Sequence, residues 1–306
     1  MATSSSSGQA REFLDPAVLA KLQAIQIHSR HPMMGSVAGM HRSPHRGSSI
    51  EFAEYRKYVP GDDPRRLDWQ AYARSDRFYV KEFEADTNLR AYFVVDTSAS
   101  MAFTSGEENK FVYARKMAAA LAYLSINQGD AVGLTCCSDV VTADIPPRRS
   151  PRHLQYIFDQ LEQVELKGET GLVKSLHEVA EQIPQRALVC IFSDFFCEPE
   201  ELNEAFQHLR YRKHDVAVFH LLDRQELDFE FDRPYRFVDM EDKSSIVVEP
   251  YLIGDRYQEA LRQYLADVRR YTYQAKADYH LVVTDEDYET LLGDFLTARL
   301  PKKKSR

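Results

Sequence analysis

Asp96, Ser98 and Ser100 stand at alternate positions in Asp96-Thr97-Ser98-Ala99-Ser100, and together they offer one carboxylate and two hydroxyls on a single short loop. Small oxygen ligands of this kind suit a hard divalent cation such as Mg²⁺. The loop follows Tyr92-Phe93-Val94-Val95, an apolar run that reads as a buried strand. The polar groups therefore sit at a strand's C-terminal end, where open α/β sheets place their ligand sites. A second apolar run, Leu188 to Phe192, ends in Ser193-Asp194, and between the two runs Gly168-Glu169-Thr170-Gly171 offers a threonine hydroxyl just before a helix. Two carboxylates and three hydroxyls carry little ligand charge, so an ion would be held loosely with a coordination position open. An acidic residue of a protein ligand can fill that position and make the metal a bridge. The plainer alternative is that Asp96 and Asp194 cap helices while the serines fill a turn.

Taken together, Asp96, Ser98, Ser100, Thr170 and Asp194 resemble the metal-ion-dependent adhesion site of von Willebrand factor A domains, whose pattern is D-x-S-x-S, then T, then D. The resemblance implies Mg²⁺ as cofactor, with Mn²⁺ able to replace it. Glu169 and Asp139 are near-site candidates without an assigned role.

The elements that would position these groups alternate. From residue 91 the order is strand 91–96, helix 110–127, strand 131–137, a short return strand 140–142 and a loop at Pro146-Pro147. Helices 152–164 and 172–183 follow, then strand 187–193, helix 200–212 and strand 215–222. After an irregular stretch, 223–250, with short β candidates at 237–240 and 246–248, come helix 255–276, strand 279–284 and helix 287–297. This alternation predicts an α/β fold, a doubly wound, mostly parallel sheet covered on both faces. Ahead of it, 1–14 reads as a disordered tail and 15–87 as a helix plus a small, partly β appendage. The helix spans 15–28, with Asp15 as N-cap and Pro16 at its first position. The sheet domain covers 88–300, and 301–306 is a basic tail.

Composition narrows the function. The 306 residues carry a formal net charge of −8, which argues against a nucleic-acid partner. No run approaches the roughly 18 apolar residues of a membrane span, and the start of the chain lacks a signal-peptide pattern; the expectation is a cytoplasmic protein. Cys136, Cys137, Cys190 and Cys197 form no C-x-x-C pair, and free thiols fit a reducing compartment. His28, His31, His41 and His45 match no zinc spacing. No G-x-S-x-G, Walker or dinucleotide fingerprint occurs, and a haloacid-type phosphatase would need an aspartate where Ser98 stands.

The Arg-rich segment 42–77 is the second informative stretch. Arg65, Arg66 and Arg74 are matched by Asp62, Asp63 and Asp68, which favours ion pairs that fix the appendage over a phosphate or acidic-peptide site. Trp69 reads as core. The run Gly47-Ser48-Ser49-Ile50-Glu51-Phe52 through Arg56-Lys57-Tyr58-Val59-Pro60-Gly61-Asp62-Asp63 and Arg65-Arg66-Leu67-Asp68-Trp69, followed by Val95 to Met101, resembles the DUF58 family over roughly residues 35 to 240. That family consists of bacterial and archaeal proteins with a von Willebrand factor A-like domain, typically encoded beside MoxR-type AAA+ ATPases. The resemblance implies such an ATPase as partner. Three functions follow as alternatives: a non-enzymatic, metal-dependent protein-binding adaptor in complex assembly or maturation; a metal-dependent hydrolase or nuclease at the same acidic site; or a scaffold with no metal affinity.

Overall fold

The computed structural model describes residues 11, 13–29, 50–59, 67–75, 77–85, 89–241 and 243–300. The expectations for the tails 1–10 and 301–306, for His31, His41 and His45, and for the ion pairs of Asp62, Asp63, Arg65 and Arg66 lie outside these residues. Contacts group the chain into two units, residues 32–88 and the remainder.

Within the smaller unit, β1 (Ile50–Lys57) pairs antiparallel with β2 (Tyr79–Ala85), and α2 (Trp69–Ser75) lies between them in sequence. Trp69 is 60% exposed, so it is not the core residue its type suggests. Its ring meets Tyr72 edge-on, and Tyr72 stacks on Phe78 at 4.4 Å. A unit this small has too little interior to enclose every large ring.

The larger unit is built on six strands in the order β5-β4-β3-β6-β7-β10. These are β3 (Arg90–Asp96), β4 (Ala131–Cys137), β5 (Val141–Arg148), β6 (Leu188–Ser193), β7 (Asp215–Leu222) and β10 (Asp278–Val283). All neighbours run parallel except β5, which closes one edge antiparallel to β4. The expected doubly wound sheet is therefore present. β4, β6 and β7 are buried along their whole length, as strands covered on both faces must be. On one face, Val94, Val189, Ile191 and Val218 pack with Leu176 of α5 (Leu172–Gln182), Leu202 and Phe206 of α6 (Pro199–Tyr211) and Val268 of α8 (Pro250–Gln274). On the other, α3 (Lys110–Asn127) and α9 (Tyr288–Ala298) cover Phe93, Phe192 and Phe219; Phe192 stacks on Phe219 at 4.8 Å, and Phe295 meets Phe219 edge-on.

Three local expectations need correction. The first helix, α1, covers only Pro16–Leu22, although Asp15 does cap it through Ala17 N at 2.7 Å. Beyond it the chain leaves the helix because Gln128 holds it: its side chain accepts from Ile27 N at 2.9 Å and donates to the Ile25 carbonyl at 3.1 Å. α1 contacts α9 and α3, and so belongs with the sheet unit rather than with segment 32–88. Pro146 and Pro147 lie within β5 rather than in a loop. β5 is an edge strand with an irregular register, and an edge tolerates residues that cannot donate. The stretch after β7 holds an unforeseen short helix, α7 (Arg224–Asp228), while its two β candidates overlap a hairpin of β8 (Tyr235–Val238) and β9 (Ser245–Val248).

Candidate metal-binding site

The strand order reverses between β3 and β6: the chain leaves β3 for β4 on one side and reaches β6 on the other. A crevice opens at such a switch point outside the C-terminal strand ends. Asp96 ends β3, and Asp194 follows the last residue of β6.

The loop after β3 is fixed by backbone bonds. Thr97 N donates to the Cys137 carbonyl at 2.7 Å, and Ala99 N donates to the Gly168 carbonyl at 3.1 Å. Lys167 N donates back to the Thr97 carbonyl at 3.1 Å, so the threonine turn is stitched to the Asp96–Ser100 loop. Both glycines of that turn are required. A Cβ at Gly171 would lie 2.4 Å from the Ser138 carbonyl oxygen, and Gly168 has φ +81° with Asp139 packed against it. Asp139 therefore shapes the turn and accepts from Ser138 Oγ at 3.0 Å.

Asp96 is buried. Its Oδ1 accepts from Ser98 N at 2.9 Å and its Oδ2 from Ser193 Oγ at 2.6 Å. Ser98 Oγ and Ser100 Oγ lie 3.0 Å apart. Asp194 is fully buried and caps no helix, since α6 begins after Glu198. Its Oδ2 accepts from Lys110 Nζ at 2.7 Å, and its Oδ1 has no partner among the described residues. Lys110 also donates to Glu226 Oε1 at 2.7 Å. Thr170 Oγ1 donates to Glu241 Oε1 at 2.8 Å, and Thr170 N donates to Glu241 Oε2 at 3.2 Å. The structure thus joins Asp96, Ser98 and Ser100 directly. It ties the Thr170 turn to them through backbone and links Asp194 to Lys110.

The charges are unbalanced. Burial, and then the negative charge of Asp194, push the Asp96 carboxyl up to about 7, against the pull of the Ser193 and Ser98 hydrogen bonds. Burial lowers Lys110, but Asp194 and Glu226 more than reverse this, so the ammonium stays charged and cannot act as a base. Burial raises Glu226, with Lys110 working against it. The cluster sets three carboxyl groups, Asp96, Asp194 and Glu226, against one ammonium, an excess of acids that a divalent cation would offset. The bare Asp194 Oδ1 points the same way, because an unpartnered buried acceptor costs roughly 1–3 kcal/mol. Among the described residues, no group of three or more His, Cys, Asp or Glu side chains is placed to hold a metal. The donors here are two carboxylates and hydroxyls, a set that fits a hard cation.

Sequence reasoning passed over Lys110, Ser193, Glu226 and Glu241. The D-x-x-E spacing of Asp223 and Glu226 is a capping-box signal that would have revealed α7 and with it Glu226. A lysine at the first position of a helix, where its charge opposes the dipole, was the clue to Lys110. Nothing local marks Glu241. The four cysteines are free; burial pushes Cys136 and Cys190 up to about 12, the opposite of an activated thiol.

Fold and site together define a doubly wound α/β protein with a buried, oxygen-rich cluster at its switch point. The chain belongs to the DUF58 family: the model described as "Protein of unknown function DUF58" matches residues 54–267, extending into α8. It is similar to uncharacterized proteins of Mycobacterium tuberculosis and Mycobacterium bovis, each 26% identical over 292 residues and covering 93% of this chain and 90% of the relative. Similar solved structures include BatB from Bacteroides thetaiotaomicron, with 11% identity and a TM-score of 0.47 over 69% of this chain and 98% of that one. An aerotolerance-related membrane protein from Bacteroides fragilis has 14% identity and a TM-score of 0.46 over 69% and 100%. Among the described residues no helix is long and apolar enough to cross a membrane.

Proposed function

We propose that this protein is a metal-dependent protein-binding adaptor. Asp96, Ser98 and Ser100, with Thr170 and Asp194, would hold Mg²⁺ or Mn²⁺, and an acidic side chain of the bound protein would complete the shell. The metal supplies a positive charge that joins two otherwise repelling acidic surfaces. The partner class is a MoxR-type AAA+ ATPase, and the role is assembly or maturation of protein complexes in the cytoplasm.

The observation that carries this reading is the buried Asp194 Oδ1 beside Asp96, an acceptor with no partner among the described residues. Calorimetric titration of Mg²⁺ and Mn²⁺ into the wild type and Asp96→Ala tests it. Binding to the wild type that disappears in the variant is expected. A silent titration of folded wild type with both ions sinks the reading. Full-strength, chelator-resistant binding of the ATPase by Asp96→Ala would remove the metal bridge as the mechanism.

A further inference from the structure

We propose that the open edge of the sheet at β10, with the arginine-lined groove between it and α8, takes an extended acidic segment of a partner protein as an added strand. β6 and β7 separate this edge from β3. It is therefore a second docking place, and it needs no metal.

The two edges of the sheet are finished differently. β5 carries Pro146 and Pro147 and pairs with β4 in a broken register, and both features discourage a further strand from adding. β10 holds no proline, lysine or bulge, and its register with β7 runs unbroken from Asp278 to Val283. The direction of its backbone groups follows from the ladder. Thr284 N donates to the Leu222 carbonyl at 3.1 Å. Alternation along the strand then turns the N–H and C=O of Tyr279 and Leu281 away from β7. Among the described residues, nothing pairs with those backbone groups on the outer side. Leu281 itself is 37% exposed.

The groove beside this edge decides the occupant. It encloses about 790 Å³ and is lined by Arg262, Arg269, Arg270 and Tyr273 on one face of α8 and by Tyr279 and Leu281 of β10, with no carboxylate in its lining. Three arginines gathered in a chain of net charge −8 make a local field that attracts acids. Their present bonds are surface ones. Arg262 pairs with Glu259 at 2.7 Å and Arg270 with Asp267 at 2.6 Å, each three residues away on the same helix, and Arg269 donates to Tyr273 Oη at 3.3 Å. Such pairs contribute little and exchange for another carboxylate. A strand laid beside β10 sends every second side chain to the α8 face, where Tyr279 and Leu281 line the groove. Acidic residues at those positions meet the guanidinium forks, which hold carboxylates bidentately, while main-chain bonds to Tyr279 and Leu281 supply affinity. A second copy of this chain fits worse, because pairing two β10 edges about a two-fold axis sets the arginines of one copy beside those of the other.

The test follows the anisotropy of labelled peptides of about ten residues, long enough to span the edge, added to the full chain with Mg²⁺ or with EDTA. One peptide alternates valine and glutamate, one alternates valine and lysine, and the third is the valine–glutamate peptide with alternate backbone nitrogens methylated. Arg262→Glu, Arg269→Glu, Leu281→Pro and Asp96→Ala are compared with the wild type, each confirmed as folded by thermal melting. The valine–glutamate peptide should bind the wild type and Asp96→Ala alike, in EDTA as in Mg²⁺. Each arginine reversal should weaken it about tenfold, the worth of one charge-assisted hydrogen bond. Leu281→Pro, which removes only an outward N–H, should abolish binding, and the methylated and lysine peptides should not bind. No binding of the valine–glutamate peptide to the wild type overturns the proposal, as does equal binding by the arginine variants. Equal binding of the methylated peptide would leave charge attraction without an added strand, and the proposal would fall. Binding that needs Mg²⁺ and is lost in Asp96→Ala belongs to the metal site; it overturns this proposal and leaves the metal-binding reading standing. Sedimentation of the wild type alone as a dimer that Leu281→Pro dissociates would assign the edge to a second copy and likewise overturn it.

Discussion

The two ends of the central sheet each bury a cluster of charges, and the clusters are built to different standards. At the N-terminal ends of β7 and β10, Arg299 donates to Asp215 Oδ2 at 3.0 Å and to Asp278 Oδ2 at 2.6 Å, and Ser29 Oγ adds a bond to Asp215 at 2.8 Å. A planar guanidinium suits such a fork, and this cluster ties α9 and the N-terminal segment to the sheet. At the C-terminal ends of β3 and β6, a single ammonium faces Asp194 and Glu226, Asp96 is left to hydroxyl and amide donors, and one Asp194 oxygen has no donor among the described residues. A fold that can satisfy buried carboxylates at one end and leaves them wanting at the other marks the second end as a place for a ligand. Buried charge without full compensation is costly, and it persists where function uses it.

Removing the cation at each end gives the largest contrast. Arg299→Ala should cost roughly 3–5 kcal/mol in urea unfolding, because it strands two buried carboxylates. Lys110→Ala should cost about as much in chelator, yet recover substantially in saturating Mg²⁺, while Arg299→Ala should not. Equal responses of the two variants to Mg²⁺ would erase the distinction between a structural cluster and a site.

Acidity should separate the ends next. The Asp96 carboxyl has its folded value raised from 3.8 to about 7, so between these limits the folded state holds a proton that the unfolded state has released. Its contribution to stability is complete below about pH 4 and is lost as pH rises towards 7. Relative to Asp96→Asn, the metal-free wild type should lose roughly 2–4 kcal/mol across that window, because holding one extra proton costs the folded state about 1.4 kcal/mol for every pH step of one. Parallel stability profiles for the two proteins would show that Asp96 is already paired. The smallest effect belongs to the hairpin: Ile246→Ser on its exposed strand should shift stability by less than about 0.5 kcal/mol. A larger loss would mean that the hairpin is part of the core.

Much of this was legible in the sequence because it is local. Tyr92 to Asp96 is an apolar run that stops at a carboxylate, and hydrophobicity alone makes it a buried strand with a polar end. The alternation of such runs with helical periodicity dictated the doubly wound sheet, and the sheet brought Asp96 and Asp194 to neighbouring strand ends. The glycines at 168 and 171 announced a turn. Residues whose fate depends on distant partners were not legible. α1 ends early because Gln128 claims the chain beyond it, and Trp69 stays exposed because its unit has too small an interior. Lys110 reads as the first residue of an ordinary amphipathic helix until β6 and α7 place Asp194 and Glu226 against it. Glu241 is one acid among many until the hairpin carries it to Thr170. Periodicity and chain-end chemistry are encoded over a few residues. The balance of buried charge is a sum over segments far apart in the chain, and only packing performs that sum.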